Sequence, residues 1–412
     1  MHHRDNAMFG AIQFAFWSGF GLVFAFLSAY YQEIGFTTVQ IGLVMALVSV
    51  ANIAGQPVLG LLSDRIGAPG LVLRNGLAIG VVLAVAMFVT PRLLLPVAGL
   101  SVLISLSVQT LPPILDGWTM EVRERVPRLD YGLTRSMGSI GFALTVALSG
   151  RVFDAYGIEW MFPGAAVALA VTLVIVALVH RYHVRSAPAP SDRLDPAQGP
   201  LREPAVTAAQ PTQMPWREFF SARMIGLLVI FFLAFTAFRP VQVFLPVLFR
   251  DVGGTNQDLG FAFSIMAISE FPFLIAFTFL VRRFRDTHLM LVALVFFFFR
   301  IGIHAFAATP LFIVLAQGLQ GPSCGLFLPA SVHLLNRIAP PGTRTFAQSA
   351  GAIASFGLGS MSGSAVGGYL VDWFGITRMY LIMAGVMAVV IVVYVFAFVV
   401  FAPQSERRPA TR

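Results

Sequence analysis

GRVFDAYGIEWMF at 150–162 and GYLVDWFGITRMY at 368–380 are two copies of one pattern. They share two glycines, an aspartate and a methionine, and each matched pair is 218 residues apart, as Asp154 and Asp372 are. Each copy follows a long apolar run at the same place in its half of the chain. The repeat therefore predicts two related units that are inserted in the same direction, as in parallel-repeat membrane folds.

The composition places both units in apolar surroundings. Of 412 residues, 57% are hydrophobic and 11% charged, whereas soluble domains carry about 25% charged residues. The mean hydropathy is +0.81. The apolar runs are continuous rather than alternating, and about 20 residues of helix cross the hydrocarbon layer. The sequence therefore predicts an all-α membrane protein.

Division of the apolar runs by that length predicts twelve transmembrane helices in two pseudo-symmetric six-helix bundles. The predicted spans are 8–31, 38–62, 71–90, 94–120, 131–153, 160–180, 224–249, 257–281, 288–307, 310–335, 345–370 and 378–401. A Pro- and Ala-rich stretch without apolar periodicity divides them. We therefore expect an N-terminal bundle over 1–180, a cytoplasmic linker over 181–223, and a C-terminal bundle with a basic tail over 224–412.

The basic residues indicate the orientation. All 27 are arginines, of which 20 lie at the termini or in alternate loops and only 4 in the opposite loops. Cytoplasmic loops are enriched in Arg and Lys, so we expect both termini in the cytoplasm of a bacterial inner membrane. Trp160 and Trp373 fall at the opposite interface, where aromatic belts occur.

Several function classes are excluded by what the sequence lacks. The arginines form short tracts between apolar runs rather than one soluble basic face, which argues against nucleic acid as a partner. Cys324 is the only cysteine, and no metal-ligand spacing, nucleophile elbow or phosphate-binding loop occurs. We expect no enzyme activity and no cofactor. The expected partners are the lipid bilayer and a small-molecule substrate, and we expect a monomer.

GLLSDRIG at 60–67 lies between the second and third predicted spans. Its Gly60, Asp64, Arg65 and Gly67 resemble the G-x-x-x-D-R-x-G loop signature of the major facilitator superfamily. The resemblance implies that the aspartate latches gate conformations through contacts between helices. The usual basic pair after the motif is replaced by Ala-Pro-Gly at 68–70.

YGLTRSMGSIGFA at 131–143 resembles the start of the fifth helix in the lactose permease, phenylpropionate permease and nucleoside:proton symporter branch of that superfamily. The resemblance implies that Arg135 contacts the solute together with an acid near the end of the fourth helix, here Asp116. Gly138 and Gly141 thin the helix for a neighbour. The alternative is an arginine that snorkels to the interface.

The C-terminal half adds charges at mid-membrane depth, where each costs about 2.5–3.5 kcal/mol on insertion scales. They are Arg239, Glu270 in AISEFPF, and Arg300 in VFFFFRIGIHAF. In the same branch, a Glu and an Arg at the positions of Glu270 and Arg300 line the solute and proton site. We therefore expect Arg300 to face an aqueous cavity near Glu270, with a structural ion pair as the alternative. Gln320 stands where relatives often have a titratable histidine, so Glu270 or Asp116 would carry any coupled proton.

These features predict a secondary active transporter with alternating access. The three buried arginines exceed the two acids by one charge, which favours proton-coupled uptake of an organic anion such as an aromatic carboxylate. The alternatives are a proton-coupled sugar or nucleoside symporter, a drug or metabolite efflux transporter, and a membrane sensor with an inactive transport site.

Overall fold

The computed structural model describes residues 2–126, 128–186 and 219–400. Twelve long helices account for most of these residues, and eleven are long and apolar enough to cross a membrane. They are α1 (Asp5–Glu33), α2 (Thr38–Ile66), α3 (Pro69–Val89), α4 (Leu94–Arg125), α5 (Tyr131–Tyr156), α6 (Ile158–Val179), α7 (Ala222–Val243), α8 (Asn256–Arg283), α9 (Asp286–Ala305), α10 (Pro310–Ile338), α11 (344–374) and α12 (Ile376–Val400). The Gly- and Ser-rich α11 is the twelfth. The predicted all-α, twelve-helix architecture is confirmed.

The predicted spans 224–249 and 160–180 differ from the structure. The predicted span 224–249 is two helices, because α7 ends at Val243 and a separate helix, Leu245–Asp251, begins with a proline in its first turn, where the missing N–H costs nothing. The helix that contains α6 continues to Ser186, into the predicted linker. Most of that linker, 187–218, lies outside the described residues.

Some helices change their winding inside the membrane. α1 is interrupted between Phe24 and Leu27. π-Helical turns occur in α4, α10 and α11, at Ser105–Gln109, Gly321–Gly325 and Ile353–Gly359. Such turns often accompany functional sites.

The helix pairings follow the internal repeat. In the first half α1 packs on α5 and α6, and α3 on α6; in the second half α7 packs on α11 and α12, and α9 on α12. The halves meet along α5 and α8 and along α2 and α11. These two contacts are equivalent under the repeat, because α8 and α11 are the counterparts of α2 and α5.

The halves approach most closely at the end of the molecule opposite the termini. We call this end the distal rim; it comprises the ends of α5 and α11 and the starts of α2 and α8. A β-carbon on Gly150 would lie 2.7 Å from the backbone nitrogen of Gln257, and one on Gly368 would lie 2.6 Å from the carbonyl oxygen of Thr38. The distal rim is therefore closed by backbone-to-backbone packing that only glycine permits.

The opposite end, near the termini, has a different geometry. A β-carbon on Gly60 in α2 would meet no atom of the described residues within 4 Å. A cavity of about 500 Å³ lies beside it, lined by residues of α2, α3 and α4, including Asp64 and Glu121. The halves are thus in backbone contact at the distal rim, whereas a cavity within the first half lies near the termini.

Candidate functional site

A cavity of about 180 Å³ lies between the two halves, and we call it the central cavity. Both halves contribute to its wall, whose residues include Phe20, Phe24, Ser28, Gln109, Arg239, Gln242 and Phe263. Phe263 contacts Phe26 across the two halves, with ring centroids 6.2 Å apart. The cavity thus combines aromatic surface with two amides and one guanidinium group.

Arg239 supplies the cation of the central cavity. It precedes Pro240 in α7, and Gly363 of α11 makes room for it, since a β-carbon there would lie 3.0 Å from the Arg239 β-carbon. Its Nη1 donates to Oε1 of Gln242 at 3.0 Å, and its Nε is buried without a hydrogen-bond partner in the described part of the chain. Among the described residues, no carboxylate lies within ion-pairing distance of Arg239.

Asp116 and Arg135 lie together in the first half. Arg135 Nε is 3.9 Å from Asp116 Oδ2, and the two side chains are 33% and 31% exposed. Nε2 of Gln13 donates to Asp116 Oδ1 at 3.0 Å. The Arg135 guanidinium lies 4.5 Å from the centre of the Trp17 ring. The structure thus brings together the two residues that the sequence paired, and it adds two partners from α1.

Arg300 is fully buried in α9 rather than open to the central cavity. Its Nη2 donates to Oε1 of Gln317 at 2.6 Å, and its guanidinium lies 5.0 Å from the centre of the Phe238 ring. Its Nε and Nη1 have no hydrogen-bond partner in the described chain. The aqueous surroundings expected for Arg300 are therefore absent in this conformation, where an amide and an aromatic ring replace them.

His304 orients the amide that binds Arg300. Its Nδ1 lies 2.6 Å from the carbonyl oxygen of Arg300, and a carbonyl can only accept, so Nδ1 carries a proton. Its Nε2 lies 2.8 Å from Nε2 of Gln317, and this amide nitrogen donates to it. A neutral His304 thus directs the Gln317 oxygen towards the guanidinium.

Glu270 binds Gln320 instead of Arg300. Nε2 of Gln320 donates to Oε1 of Glu270 from α10 to α8. The Oε1 of Gln320 is buried without a hydrogen-bond partner among the described residues. Gly325 allows this approach, because its β-carbon would lie 3.0 Å from Phe273 and 3.3 Å from the Glu270 carbonyl oxygen. Glu270 and Arg300 therefore have separate amide partners.

The loop motif adopts a helix end followed by a turn. Gly67 has a φ of 62° and caps α2, with its N–H bonded to the carbonyl oxygen of Ser63. The Asp64 and Arg65 side chains are exposed, and within the described residues neither forms an ion pair. The role in gating that the resemblance implies for Asp64 stays a prediction.

Four site residues escaped the sequence reasoning: Gln13, Trp17, Gln109 and Gln242. All four are uncharged, whereas the predicted site residues inside apolar runs are charged, apart from Gln320. A buried amide also costs free energy unless it is hydrogen-bonded, so Gln13 and Gln109 inside otherwise apolar segments were detectable. Trp17 lies four residues after Gln13, on the same helix face, and this spacing was a second available signal.

The comparisons with known proteins agree with this architecture. A model of the MFS_1 like family matches residues 8–382. Maltose permease of Geobacillus stearothermophilus is 29% identical over 379 residues, which cover 91% of this chain and 90% of the permease. Multidrug resistance protein MdtG of Klebsiella pneumoniae is 23% identical over 420 residues, which cover 95% of this chain and 91% of MdtG.

Among solved structures, the nucleoside transporter NupG has a TM-score of 0.76 at 17% identity, covering 96% of this chain and 99% of NupG. This likeness concerns the fold. The family match extends over most of the chain and includes the loop motif, the internal repeat and both halves of the candidate site. The chain belongs to the MFS_1-like family and is a multi-pass secondary transporter of the major facilitator superfamily, not an enzyme.

Proposed function

We propose that the protein moves a small organic anion across the bacterial inner membrane, in symport with protons and in the direction of uptake. The observation that carries this proposal is Arg239, a cation in the wall of the central cavity that has only an amide partner among the described residues. A guanidinium with free N–H groups binds carboxylates well, often through two parallel hydrogen bonds.

The rest of the cavity wall supports an apolar body on that anion. Phe20, Phe24, Phe142 and Phe263 line the cavity, and aromatic rings contribute contact area at defined geometry. Gln109 and Gln242 add uncharged donors and acceptors. An aromatic carboxylate such as benzoate would match the cation, the rings and the amides together.

The charge balance supports the same class of solute. The membrane-spanning part of the candidate site contains three arginines, Arg135, Arg239 and Arg300. It contains only two acids, Asp116 and Glu270. A bound anion would neutralise the excess cation, which is costly in a low-dielectric environment. Protonation of one acid would raise the positive charge further, so proton binding and anion binding would favour one another.

The proton would be carried by Glu270 or Asp116, because Gln320 cannot titrate. We propose that the two six-helix units, 1–180 and 224–412, rock about the central cavity, as parallel-repeat transporters do. We also propose a monomer with both termini in the cytoplasm. In that orientation the distal rim, where the halves are in contact, faces away from the cytoplasm.

A second candidate is a neutral sugar or nucleoside. The Asp116–Arg135 pair favours it, because a hydroxyl can donate to the carboxylate and accept from the guanidinium. The names of two similar proteins, maltose permease and nucleoside transporter NupG, also point to such solutes. The name of MdtG points to multidrug resistance, which keeps efflux as a third candidate.

Uptake into proteoliposomes separates these candidates. The purified protein is tested with radiolabelled benzoate, gluconate, maltose and uridine, with and without an inward proton gradient. We expect benzoate or gluconate uptake that the gradient accelerates and that Arg239→Gln reduces at least tenfold, while Arg239→Lys retains part of it. Arg283→Gln, at an exposed arginine near the end of α8, is the matched control. Maltose or uridine uptake that survives Arg239→Gln would replace the anion proposal with the second candidate.

Proton coupling has its own test. Glu270→Gln and Asp116→Asn are compared in gradient-driven uptake and in solute exchange at equal pH. We expect the proton carrier's variant to lose the first and keep the second. Coupling is refuted if the gradient has no effect on the wild-type protein.

A further inference from the structure

The Asp116–Arg135 pair is held by two residues of α1 that lie four positions apart. Gln13 hydrogen-bonds the acid, and Trp17 covers the cation. We infer that Gln13 and Trp17 are positioning residues that keep the pair apart, so that a polar group of the solute can insert between acid and cation. This inference rests on the proposed solute transport through the same site.

The amide of Gln13 has one allowed orientation. Nε1 of Trp17 donates to Oε1 of Gln13 at 2.9 Å, and an indole nitrogen can only donate. The Gln13 oxygen must therefore face Trp17, and its NH₂ group must face Asp116, where it donates to Oδ1 at 3.0 Å. Gln13 is fully buried, so neither hydrogen bond is readily exchanged for water.

Trp17 packs against α5 at Gly138. A β-carbon on Gly138 would lie 3.0 Å from the Trp17 Nε1 and even closer to its Cδ1. Gly138 lies three residues after Arg135, on the same face of α5. The glycine therefore lets the indole sit against α5 with its ring under the Arg135 guanidinium, 4.5 Å from ring centre to Cζ.

These contacts explain why the ion pair is open. An arginine and a carboxylate that are free to approach form hydrogen bonds of about 2.7–2.9 Å, whereas Arg135 Nε and Asp116 Oδ2 are 3.9 Å apart. Gln13 holds one carboxylate oxygen and Trp17 holds one face of the guanidinium. Both side chains remain about one-third exposed, so a hydroxyl or a carboxylate of the solute can reach both.

An aromatic contact lies between the clamped pair and the wall of the central cavity. The Trp17 ring lies 4.9 Å from that of Phe20, and Phe20 lines the cavity together with Arg239. A solute whose anionic group binds Arg239 and whose second polar group binds the pair would therefore span both halves. The chemical class is an organic acid with a hydroxyl or second carboxyl group.

The geometry can be tested without any solute. Ultraviolet resonance Raman bands of indole report hydrogen bonding of its N–H group and contact of its ring with a cation. The Trp17 signal is isolated by subtracting the spectrum of Trp17→Phe from that of the wild type, and again in a Gln13→Leu background. We expect a hydrogen-bonded N–H that is lost in Gln13→Leu and a cation signature that is lost in Arg135→Gln. An unchanged N–H band in Gln13→Leu overturns the inference.

Transport kinetics test the consequence of the clamp. With benzoate, gluconate or 4-hydroxybenzoate as the probe, we expect Gln13→Leu and Trp17→Phe to raise KM about tenfold while Vmax changes less than twofold. The hydroxylated probes should be affected more than benzoate. Gly226→Ala is the folding control, because its β-carbon would meet no atom of the described chain within 4 Å.

The two failures are distinguishable. If the wild type transports none of these probes, the proposed function fails, and the Raman spectra alone decide the inference. If the probes are transported and neither variant changes KM, or both lower Vmax alone, Gln13 and Trp17 have a structural role and the inference is refuted.

Discussion

Asp154 closes the distal rim in a way that one substitution can test. Its two carboxylate oxygens accept hydrogen bonds from the backbone N–H groups of Asn256 and Gln257, at 2.9 and 3.1 Å. These N–H groups belong to the first turn of α8, where the helix dipole favours a negative charge. The cap therefore joins the end of α5 in one half to the start of α8 in the other.

The size of the effect follows from the contacts. Two hydrogen bonds to a charged group and a helix-dipole interaction, discounted for the exposure of Asp154, are worth about 1–2 kcal/mol together. Asp154→Ala should therefore raise the ratio of rim-open to rim-closed protein about 5- to 30-fold. Asp372 is the counterpart in the internal repeat, and no hydrogen bond joins it to α2 in the described residues. Asp372→Ala is therefore the matched control, with an expected change below twofold.

Thiol labelling measures this ratio. Ser28 is buried and lines the central cavity, so Ser28→Cys in a Cys324→Ser background reports access to it. A membrane-impermeant maleimide is added from the face opposite the termini, and the labelling rate follows the rim-open fraction. We expect faster labelling in Asp154→Ala and an unchanged rate in Asp372→Ala. Equal rates in both variants would refute the role given to the cap.

Three further outcomes follow from the packing. Gly260→Leu should separate the halves and raise the same labelling rate more than tenfold, because its β-carbon would lie 3.2 Å from the backbone carbonyl carbon of Val146. Gly385→Leu should leave the rate unchanged, because the added carbon would meet no atom of the described residues within 4 Å. Gln317→Leu should lower the free energy of unfolding by about 3 kcal/mol, because it leaves the buried Arg300 cation without its amide partner. It should also lower the melting temperature more than Arg300→Met does, and a larger decrease in Arg300→Met would contradict this. Cys324, which is 7% exposed, should react with maleimide only after unfolding, and rapid labelling of the native protein would contradict its position.

The membrane itself makes much of this fold readable from sequence. A fixed hydrocarbon thickness imposes a minimum length on every span, which allows the apolar runs to be divided into helices. The predicted first residues of α2 and α4, Thr38 and Leu94, are those of the structure. The repeat around Asp154 and Asp372 could be aligned because both segments face the same geometric requirement at the rim. The break after Val243 could not be located, because residues on both sides of it are apolar and only Pro246 marks it.

The partners of the buried charges were harder to predict. The pairing of Asp116 with Arg135 came from resemblance, and the structure places the two side chains together. For Arg300 the resemblance implied Glu270 as a neighbour, whereas its hydrogen-bond partner in the structure is Gln317. An uncharged amide gives a weaker signal in an apolar run than a charged side chain does. Its partner depends on the register in which α9 packs on α10, and no local sequence pattern predicts that register.

A cryo-electron microscopy structure with the solute that the uptake assay identifies would show whether Arg239 binds it. We expect solute density in the central cavity, with its anionic group within hydrogen-bonding distance of Arg239 and its other end near Arg135 and Asp116. Density confined to the first half, away from Arg239, or a solute site outside the cavity between the halves would contradict it.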